Sequence, residues 1–287
     1  MSSNFAVVGA GSIGSWIVDE LLNYKASGVV NTLKVISRSD TIKNNNPEWL
    51  TKGAEFAKVD YADEATVAHV FKDVDVVFST INTAVVDQQE ALARAAKAAG
   101  VKLFVPSEYG IDTEDATDGV FLAKRRFSEF LKEIGLPYVK VFTGLWIDYF
   151  ITPSWGWQLD EGKVTFGGSG DSKVTFVHRT DIARYVGYVF THVPSSELAW
   201  KLLRIQGELT SFNKIVADYE AKTGKKLEVT RTPREVLAEE AKNGDLVPSL
   251  FYEWDLRGGT VGTPVTNGLY PDWNPKSVID YITESFA

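Results

Sequence analysis

The chain of 287 residues contains no cysteine, one methionine and three histidines. Without cysteine there is no disulfide, no thiolate nucleophile and no Cys-ligated metal. His69, His178 and His192 are too few and too scattered for a His-rich metal centre, so we expect no bound metal. No apolar run reaches the roughly 18 residues of a membrane-spanning helix. A net charge of -8 argues against a nucleic-acid partner, which would require a basic face.

The bulk composition is that of an ordinary globular protein, with 44% hydrophobic and 24% charged residues. Residues 1–4 run directly into an apolar segment and leave no room for a signal peptide, so we expect a cytoplasmic protein without a membrane partner. The sequence is compatible with a homodimer.

The most informative segment lies near the N-terminus. Residues 5–8 are apolar, as in a buried strand, and an apolar-periodic helix follows. Between them, Gly9, Gly11 and Gly14 have G-x-G-x-x-G spacing. They would allow a tight turn, close approach of a pyrophosphate to the backbone, and packing of the helix on the sheet. Such turns also occur for steric reasons alone, but between a strand and a helix this motif predicts a dinucleotide site.

Strand-like and helix-like segments alternate through the first half of the chain. The sequence predicts further strands at 33–38, 56–60, 75–80, 102–106 and 138–142, and helices at 63–71, 87–99 and 121–134. This alternation requires βαβ crossovers, and hence an α/β fold with a Rossmann-type doubly wound parallel sheet. We expect residues 1–150 to form the NAD(P)-binding domain.

The character of the chain changes from about residue 144, where aromatic residues concentrate. The sequence predicts a hairpin of strands 163–166 and 174–177 joined by 167–171, and helices at 180–192, 211–223 and 233–243. Residues 151–287 are expected to form a smaller C-terminal α+β substrate lobe. It would pack intimately on the first domain and could return strands to its sheet.

The end of the second predicted strand bears on which dinucleotide binds. An acidic residue there contacts the 2′-hydroxyl of NAD, whereas an arginine suits the 2′-phosphate of NADP. Arg38 ends this strand, and Lys43 follows five residues later. Both could instead be solvated cations of a loop, and Asp40 could take the hydroxyl. The position of Arg38 favours NADP(H).

The sequence has no Tyr-x-x-x-Lys pair of the kind found in ordinary short-chain dehydrogenases, since Val120 stands four residues before Lys124. Other short motifs occur in a characteristic order along the chain. The first are the glycine motif, the arginine after strand two, and Asp-Gln at 87–88. They are followed by Pro-Ser-Glu-Tyr-Gly at 106–110, by Lys124 ten residues before Ile-Gly-Leu-Pro-Tyr, and by Thr-Phe-Val at 175–177 leading to Asp181. Over most of residues 5–185 the chain resembles the isoflavone reductase-like and NmrA-like branch of the atypical short-chain dehydrogenases/reductases.

The resemblance implies that Lys124 is the catalytic group and touches the nicotinamide ribose. An apolar pocket would disfavour its ammonium form, so that it could act as general acid or base near neutral pH. Taken alone, Lys124 would be a surface lysine in a basic cluster with Arg125 and Arg126. The predicted cofactor-binding residues are Gly9, Gly11, Ser12, Ile13, Gly14, Arg38, Lys43, Thr80 and Lys124.

The substrate side departs from the family pattern. Gly144 and Trp146 stand where family reductases often carry asparagine and phenylalanine, so plant substrates such as isoflavones are not implied. The aromatic side chains could form a wall for a flat substrate or pack the two lobes together. His178 is expected to be structural, and Asp181 to cap the following helix. The predicted substrate-binding residues are Glu108, Tyr109, Trp146, Tyr149 and Phe150.

Two functions follow from this sequence. The leading hypothesis is an NADPH-dependent reductase of a small aromatic or conjugated compound, in which the nicotinamide gives a hydride and Lys124 manages the proton. The alternative is an NmrA-like regulator that senses the dinucleotide without turnover and contacts a protein partner. Lys124 and the aromatic residues favour the enzyme, while the missing tyrosine is compatible with the regulator.

Overall fold

The computed structural model describes residues 1–286, apart from the side chains of Ile42, Thr83, Ala84, Val86 and Leu246. The strands are β1 (Asn4–Val8), β2 (Thr32–Ser37), β3 (Glu55–Lys58), β4 (Val76–Ser79), β5 (Leu103–Val105), β6 (Val139–Phe142), β7 (Leu145–Trp146), β8 (Trp157–Gln158), β9 (Lys163–Gly167), β10 (Val174–Val177), β11 (Lys201–Arg204), β12 (Glu208–Thr210) and β13 (Glu228–Thr232). The helices are α1 (Gly14–Ala26), α2 (Thr41–Asn45), α3 (Glu48–Thr51), α4 (Glu64–Val70), α5 (Gln89–Ala98), α6 (Gly119–Glu133), α7 (Ile147–Phe150), α8 (Arg179–His192), α9 (Ser195–Leu198), α10 (Phe212–Thr223), α11 (Arg234–Lys242), α12 (Leu246–Arg257) and α13 (Val278–Ser285).

The central sheet is parallel, with strand order β3-β2-β1-β4-β5. The predicted Rossmann-type sheet is therefore confirmed. β6 joins β5 through a parallel bridge between Phe104 and Tyr138, and β11 pairs in parallel with β6. A strand from the C-terminal half thus extends the sheet. The strand order reverses between β1 and β4, which places a crevice for ligands at their carboxyl ends.

The sheet is covered on both faces, which explains the continuous apolar runs of its strands. Ile17 of α1 and Val186 of α8 are buried on one face, and Val67, Leu92 and Leu131 of α4, α5 and α6 on the other. Each such side chain contributes roughly 1.5–3 kcal/mol when it leaves water. Helix α1 begins at Gly14, a few residues after β1 ends, and so brings its N-terminal end toward the crevice.

The predicted hairpin is wrong, although both of its strands form. β9 pairs with β8 and β13, whereas β10 pairs with β7 and β12 in a different sheet. The connecting loop is held by Asp255, whose carboxylate accepts hydrogen bonds from the N–H and hydroxyl of Ser169. The chain therefore passes from one small sheet to the other at this loop.

The three predicted C-terminal helices are confirmed as α8, α10 and α11, while α12 and α13 were not predicted. The prediction that Asp181 caps α8 is wrong. His178 precedes the helix, and its Nδ1 accepts the N–H of Thr180 at 3.1 Å. Asp181 is buried instead and accepts the N–H of Lys276 at 2.9 Å. Among residues 1–286, none of the helices has the length and apolar character needed to cross a membrane.

Candidate active site

A cavity of about 980 Å³ lies at the carboxyl end of the central sheet. Gly9, Arg38, Thr80 and Ser107 line it, and they follow β1, β2, β4 and β5 in turn. Its volume lies near the upper end of the roughly 300–1,000 Å³ that is typical of ligand sites. The topology therefore gathers side chains that are distant in sequence around one space.

Most of the predicted site residues line this cavity. They are Gly9, Gly11, Ser12, Ile13, Arg38, Thr80, Glu108, Tyr109, Lys124, Trp146, Tyr149 and Phe150. Gly14 and Lys43 do not line it: Gly14 faces Thr80 within the fold, and Lys43 is exposed on α2. The lining residues that were not predicted are Ser37, Ser39, Thr41, Tyr61, Ile81, Asn82, Val85, Ser107, Gly110, Ile111, Phe121, Gly144, Leu145, Leu250 and Trp254.

The glycine loop forms one end of the cavity. A Cβ at position 14 would lie 2.3 Å from Thr80 Oγ1, so a glycine there lets α1 approach the end of β4. Thr80 Oγ1 donates to the carbonyl of Gly9 at 2.7 Å and ties the two loops together. A Cβ at Gly11 would meet only the carbonyl of Gly9 within 4 Å and would otherwise project into open space.

This loop suits a phosphate group. Among the described side chains none caps α1, and its first turn carries no acidic residue. The first N–H groups of a helix lack intrahelical acceptors and sit at the positive end of the helix dipole. An anion at this end of the cavity would therefore be favoured, and Gly11 leaves room for it.

Arg38 lines the cavity directly after β2. Its guanidinium is 5.5 Å from the centre of the Tyr61 ring, and Nη1 donates to Gln88 Oε1 at 3.4 Å. The carboxylate of Asp40, which could have bound a ribose hydroxyl, pairs with Lys58 at 2.9 Å. This part of the cavity therefore presents a cation, and hydroxyl-bearing residues flank Arg38 in sequence.

Lys124 lies on α6 and is 9% exposed, so it is not a surface lysine. Its Nζ donates to the carbonyl oxygen of Glu108 at 2.8 Å. Burial lowers the pKa of Lys124 because it penalises the ammonium form; Glu108 opposes this shift and Lys140 adds to it. The direction agrees with the expectation for a lysine that exchanges protons near neutral pH.

Two carboxylates and a second lysine lie behind Lys124, and sequence reasoning missed this arrangement. Lys140 on β6 is fully buried, and its Nζ lies 3.3 Å from Glu108 Oε1 and 2.5 Å from Glu114 Oε1. Thr113 donates its hydroxyl to the carboxylate of Glu108 at 3.2 Å. We call Lys124, Lys140, Glu108 and Glu114 the buried charge cluster.

Aromatic side chains form one wall of the cavity. Trp146, Tyr149 and Phe150 line the cavity, and Trp254 of α12 joins them with its ring centre 5.5 Å from that of Phe150. Trp155 packs behind Phe150 at 4.4 Å but does not line the cavity. The wall is therefore assembled from two segments about one hundred residues apart.

Arg179 connects this wall to the glycine loop. Its side chain donates to Asp148 Oδ2 at 2.8 Å and to the carbonyl of Ser12 at 2.9 Å. Its guanidinium carbon lies 5.9 Å from the ring centres of both Trp146 and Tyr149. Contacts of this type attract a cation to the aromatic face, so one residue joins the aromatic wall to the glycine loop.

Comparison with known proteins agrees with this architecture. The model of the NmrA-like family matches residues 1–253. The chain belongs to the NmrA-like family. The NmrA-like chain is 27% identical over 310 residues to phenylcoumaran benzylic ether reductase IRL1 of Ginkgo biloba, covering 98% of each chain. It is 28% identical over 311 residues to isoflavone reductase homolog P3 of Arabidopsis thaliana, covering 98% of this chain and 97% of that one.

Solved structures share the fold. The binary complex of leucoanthocyanidin reductase with NADPH from Vitis vinifera has a TM-score of 0.82 at 21% identity and covers 98% of both chains. AtPrR2 with NADP+ and (+)pinoresinol has a TM-score of 0.81 at 24% identity and covers 99% of both chains. These structures confirm the predicted fold, and the match of the family model confirms the family predicted from the sequence motifs.

Proposed function

We propose that this NmrA-like protein is an NADPH-dependent reductase of a small aromatic or conjugated compound. The observation that carries this proposal is the place of Lys124. It lines the same cavity as the glycine loop and the aromatic wall. A buried cation with a lowered pKa in this cavity is a suitable proton donor.

NADP(H) is the proposed cofactor, and residues 1–150 are proposed as its binding domain. Gly9, Gly11, Ser12 and Ile13 would surround the pyrophosphate, and Arg38 would pair with the 2′-phosphate. When bound, NADPH supplies the hydride for reduction. The names of the related structures, which include complexes with NADPH and NADP+, support this choice.

Lys124 has the proposed role of general acid. Its ammonium, held by the carbonyl of Glu108, would give a proton to the substrate atom that gains negative charge. The low exposure of Lys124 keeps water from competing for that proton. Solvent would then restore the proton after product leaves.

The aromatic wall has the proposed role of binding a flat substrate. Trp146, Tyr149 and Phe150 offer ring faces at a small entropy cost. The proposed substrate lobe, residues 151–287, would contribute Leu250 and Trp254 to the same wall. A relative named phenylcoumaran benzylic ether reductase and a solved complex that contains (+)pinoresinol support an aromatic substrate. The cytoplasmic location and the homodimer stay predictions.

The decisive assay follows NADPH oxidation with quinones, enals and phenylpropenes, beside a parallel measurement of NADPH binding. We expect turnover on at least one of these classes. Tight NADPH binding without turnover on any of them would contradict the reductase and favour the dinucleotide-sensing regulator. A screen for a bound protein partner would then follow.

Replacing Arg38 with alanine is expected to weaken NADPH binding by about ten- to a hundredfold, because a charged hydrogen bond is worth roughly 1.5–3 kcal/mol. NADH binding should change little, since NADH lacks the 2′-phosphate. Calorimetric titration of both cofactors measures the effect. The matched control is Lys43→Ala, a cation nearby on α2 that does not line the cavity. Equal losses in both variants would contradict a specific contact by Arg38.

A further inference from the structure

The buried charge cluster is more elaborate than a proton donor requires. Lys140 has no exposed side-chain surface, yet it is a charged residue in the middle of β6. Such a residue is costly to bury unless its charge is paired and its hydrogen bonds are made. Both conditions are met, because Glu108 and Glu114 flank its ammonium and Ser128 Oγ lies 3.3 Å away.

Glu108 is the link between the two lysines. Its backbone carbonyl accepts the hydrogen bond from Lys124, and its carboxylate pairs with Lys140. The position of the carbonyl therefore depends on where Lys140 holds the side chain of the same residue. Glu114, whose side chain is 38% exposed, pairs with the same ammonium and fastens the following part of the loop.

We infer that Lys140 is a positioning residue for Lys124, acting through the ion pair with Glu108. This inference rests on the proposed proton-donor role of Lys124 and goes beyond it. Lys140 does not line the cavity, so it does not touch a ligand. It fixes the loop that holds Lys124 Nζ, and its charge, set against that of Glu108, determines how readily Lys124 gives up its proton.

Glu108 and Lys140 have opposite effects on the pKa of Lys124. Burial lowers the pKa of Lys124, Glu108 raises it, and Lys140 lowers it further. Burial disfavours the ammonium form of Lys140, but the carboxylates of Glu108 and Glu114 outweigh this effect. The pKa of Lys140 is therefore raised, and the side chain remains an ammonium. The charged groups that act on Lys124 are Glu108, from the loop before α6, and Lys140, from β6. Glu114 of the same loop pairs with Lys140, and the other charged groups near Lys124 in sequence, Arg125, Arg126 and Glu129, lie on α6 itself.

The test is a cycle of the variants Glu108→Gln, Lys140→Met and the double variant. The first readout is the pH profile of kcat/KM for reduction. The second is NMR titration of the Lys124 side chain in protein with ¹³C-labelled lysine, assigned by the loss of its signal in Lys124→Met. The second readout requires no substrate, so it separates a failure of this inference from a failure of the proposed reductase activity.

Glu108→Gln is expected to move the titration of Lys124 to lower pH by about one unit or more, and Lys140→Met to move it to higher pH by a similar amount. The double variant should fall between them. Because Lys124 donates as the ammonium, activity should be lost at lower pH in Glu108→Gln and at higher pH in Lys140→Met. Lys132→Met, which removes an exposed lysine from the same helix, should leave the titration unchanged.

The inference is overturned if both single variants move the titration in the same direction. The inference is also overturned if neither single variant moves the titration of Lys124 while both lower the stability, because the ion pair of Lys140 and Glu108 would then have only a structural role. Should Lys140→Met fail to fold, Glu108→Gln and the double variant still differ by the charge of Lys140. The double variant must then titrate at higher pH than Glu108→Gln.

Discussion

Replacing Lys124 with methionine is expected to reduce kcat by about a hundred- to ten-thousandfold, the usual contribution of a positioned proton donor. The affinity for NADPH should fall much less, because the glycine loop and Arg38 remain. Steady-state kinetics on the substrate found in the assay above, with calorimetric titration of NADPH, measures the two effects separately.

The same change is expected to leave the melting temperature unchanged or to raise it. Burial lowers the pKa of Lys124 in the folded protein, so the unfolded chain binds the proton more tightly at neutral pH. The ammonium therefore opposes folding at pH below its unfolded pKa, and methionine removes this cost. Activity and stability moving in opposite directions is typical of catalytic residues.

Lys132→Met on the same helix serves as the matched control and should keep full turnover. A Lys124→Met protein that binds NADPH and keeps wild-type kcat would disprove the catalytic role. A loss of kcat accompanied by a large fall in the melting temperature would show that Lys124 acts as a structural residue.

Replacing Gly144 with alanine is expected to lower the free energy of unfolding by about 2–5 kcal/mol. Gly144 has φ +67, and a Cβ there would lie 2.3 Å from the carbonyl oxygen of Thr175. The left-handed backbone costs an alanine roughly 1–2 kcal/mol, and overpacking adds about 1–3 kcal/mol. Denaturant unfolding, read at constant pH and without ligand, measures the loss.

Gly100→Ala separates the two contributions to this loss. Gly100 also has positive φ, at +77, but no atom lies within 4 Å of the Cβ position. The free energy of unfolding of Gly100→Ala should therefore fall only by the backbone cost of roughly 1–2 kcal/mol. Equal losses at both positions would show that Thr175 moves aside freely and that the contact is unimportant.

The same geometry explains a departure from the family pattern. Asparagine tolerates positive φ better than most residues, but its Cβ would meet the same Thr175 carbonyl. We therefore expect Gly144→Asn to be destabilising as well. The glycine reflects the close approach of β7 and β10, which are paired in parallel beside it.

Much of the fold was predictable because buried parallel strands are short apolar runs between amphipathic helices. The pairing of strands that are distant in sequence was not predictable. β9 and β10 both have strand patterns, and a glycine-rich loop between them favours a hairpin. The competing partners lie far away in sequence, and Asp255, which holds the loop, belongs to a helix that the sequence did not predict.

The site was predictable where it follows from motif position and not where it depends on tertiary pairing. The glycine loop and Arg38 come directly after strands, so their place in the cavity follows from topology. Lys140 lies between Val139 and Val141, and an alternating pattern assigns such a lysine to a solvent-facing side. Its counter-charges come from a loop about 30 residues earlier, and this pairing has no local signal.

The pairing of β11 with β6 has a consequence for how the chain is made. During synthesis, β6 emerges roughly 60 residues before the strand that covers its edge. Until then it presents unpaired N–H and C=O groups, which are a template for association with other chains. A truncated chain that stops at residue 150 would make this exposure permanent. Expression of residues 1–150 alone is therefore expected to yield aggregates, whereas a fragment that reaches past residue 204 closes that edge.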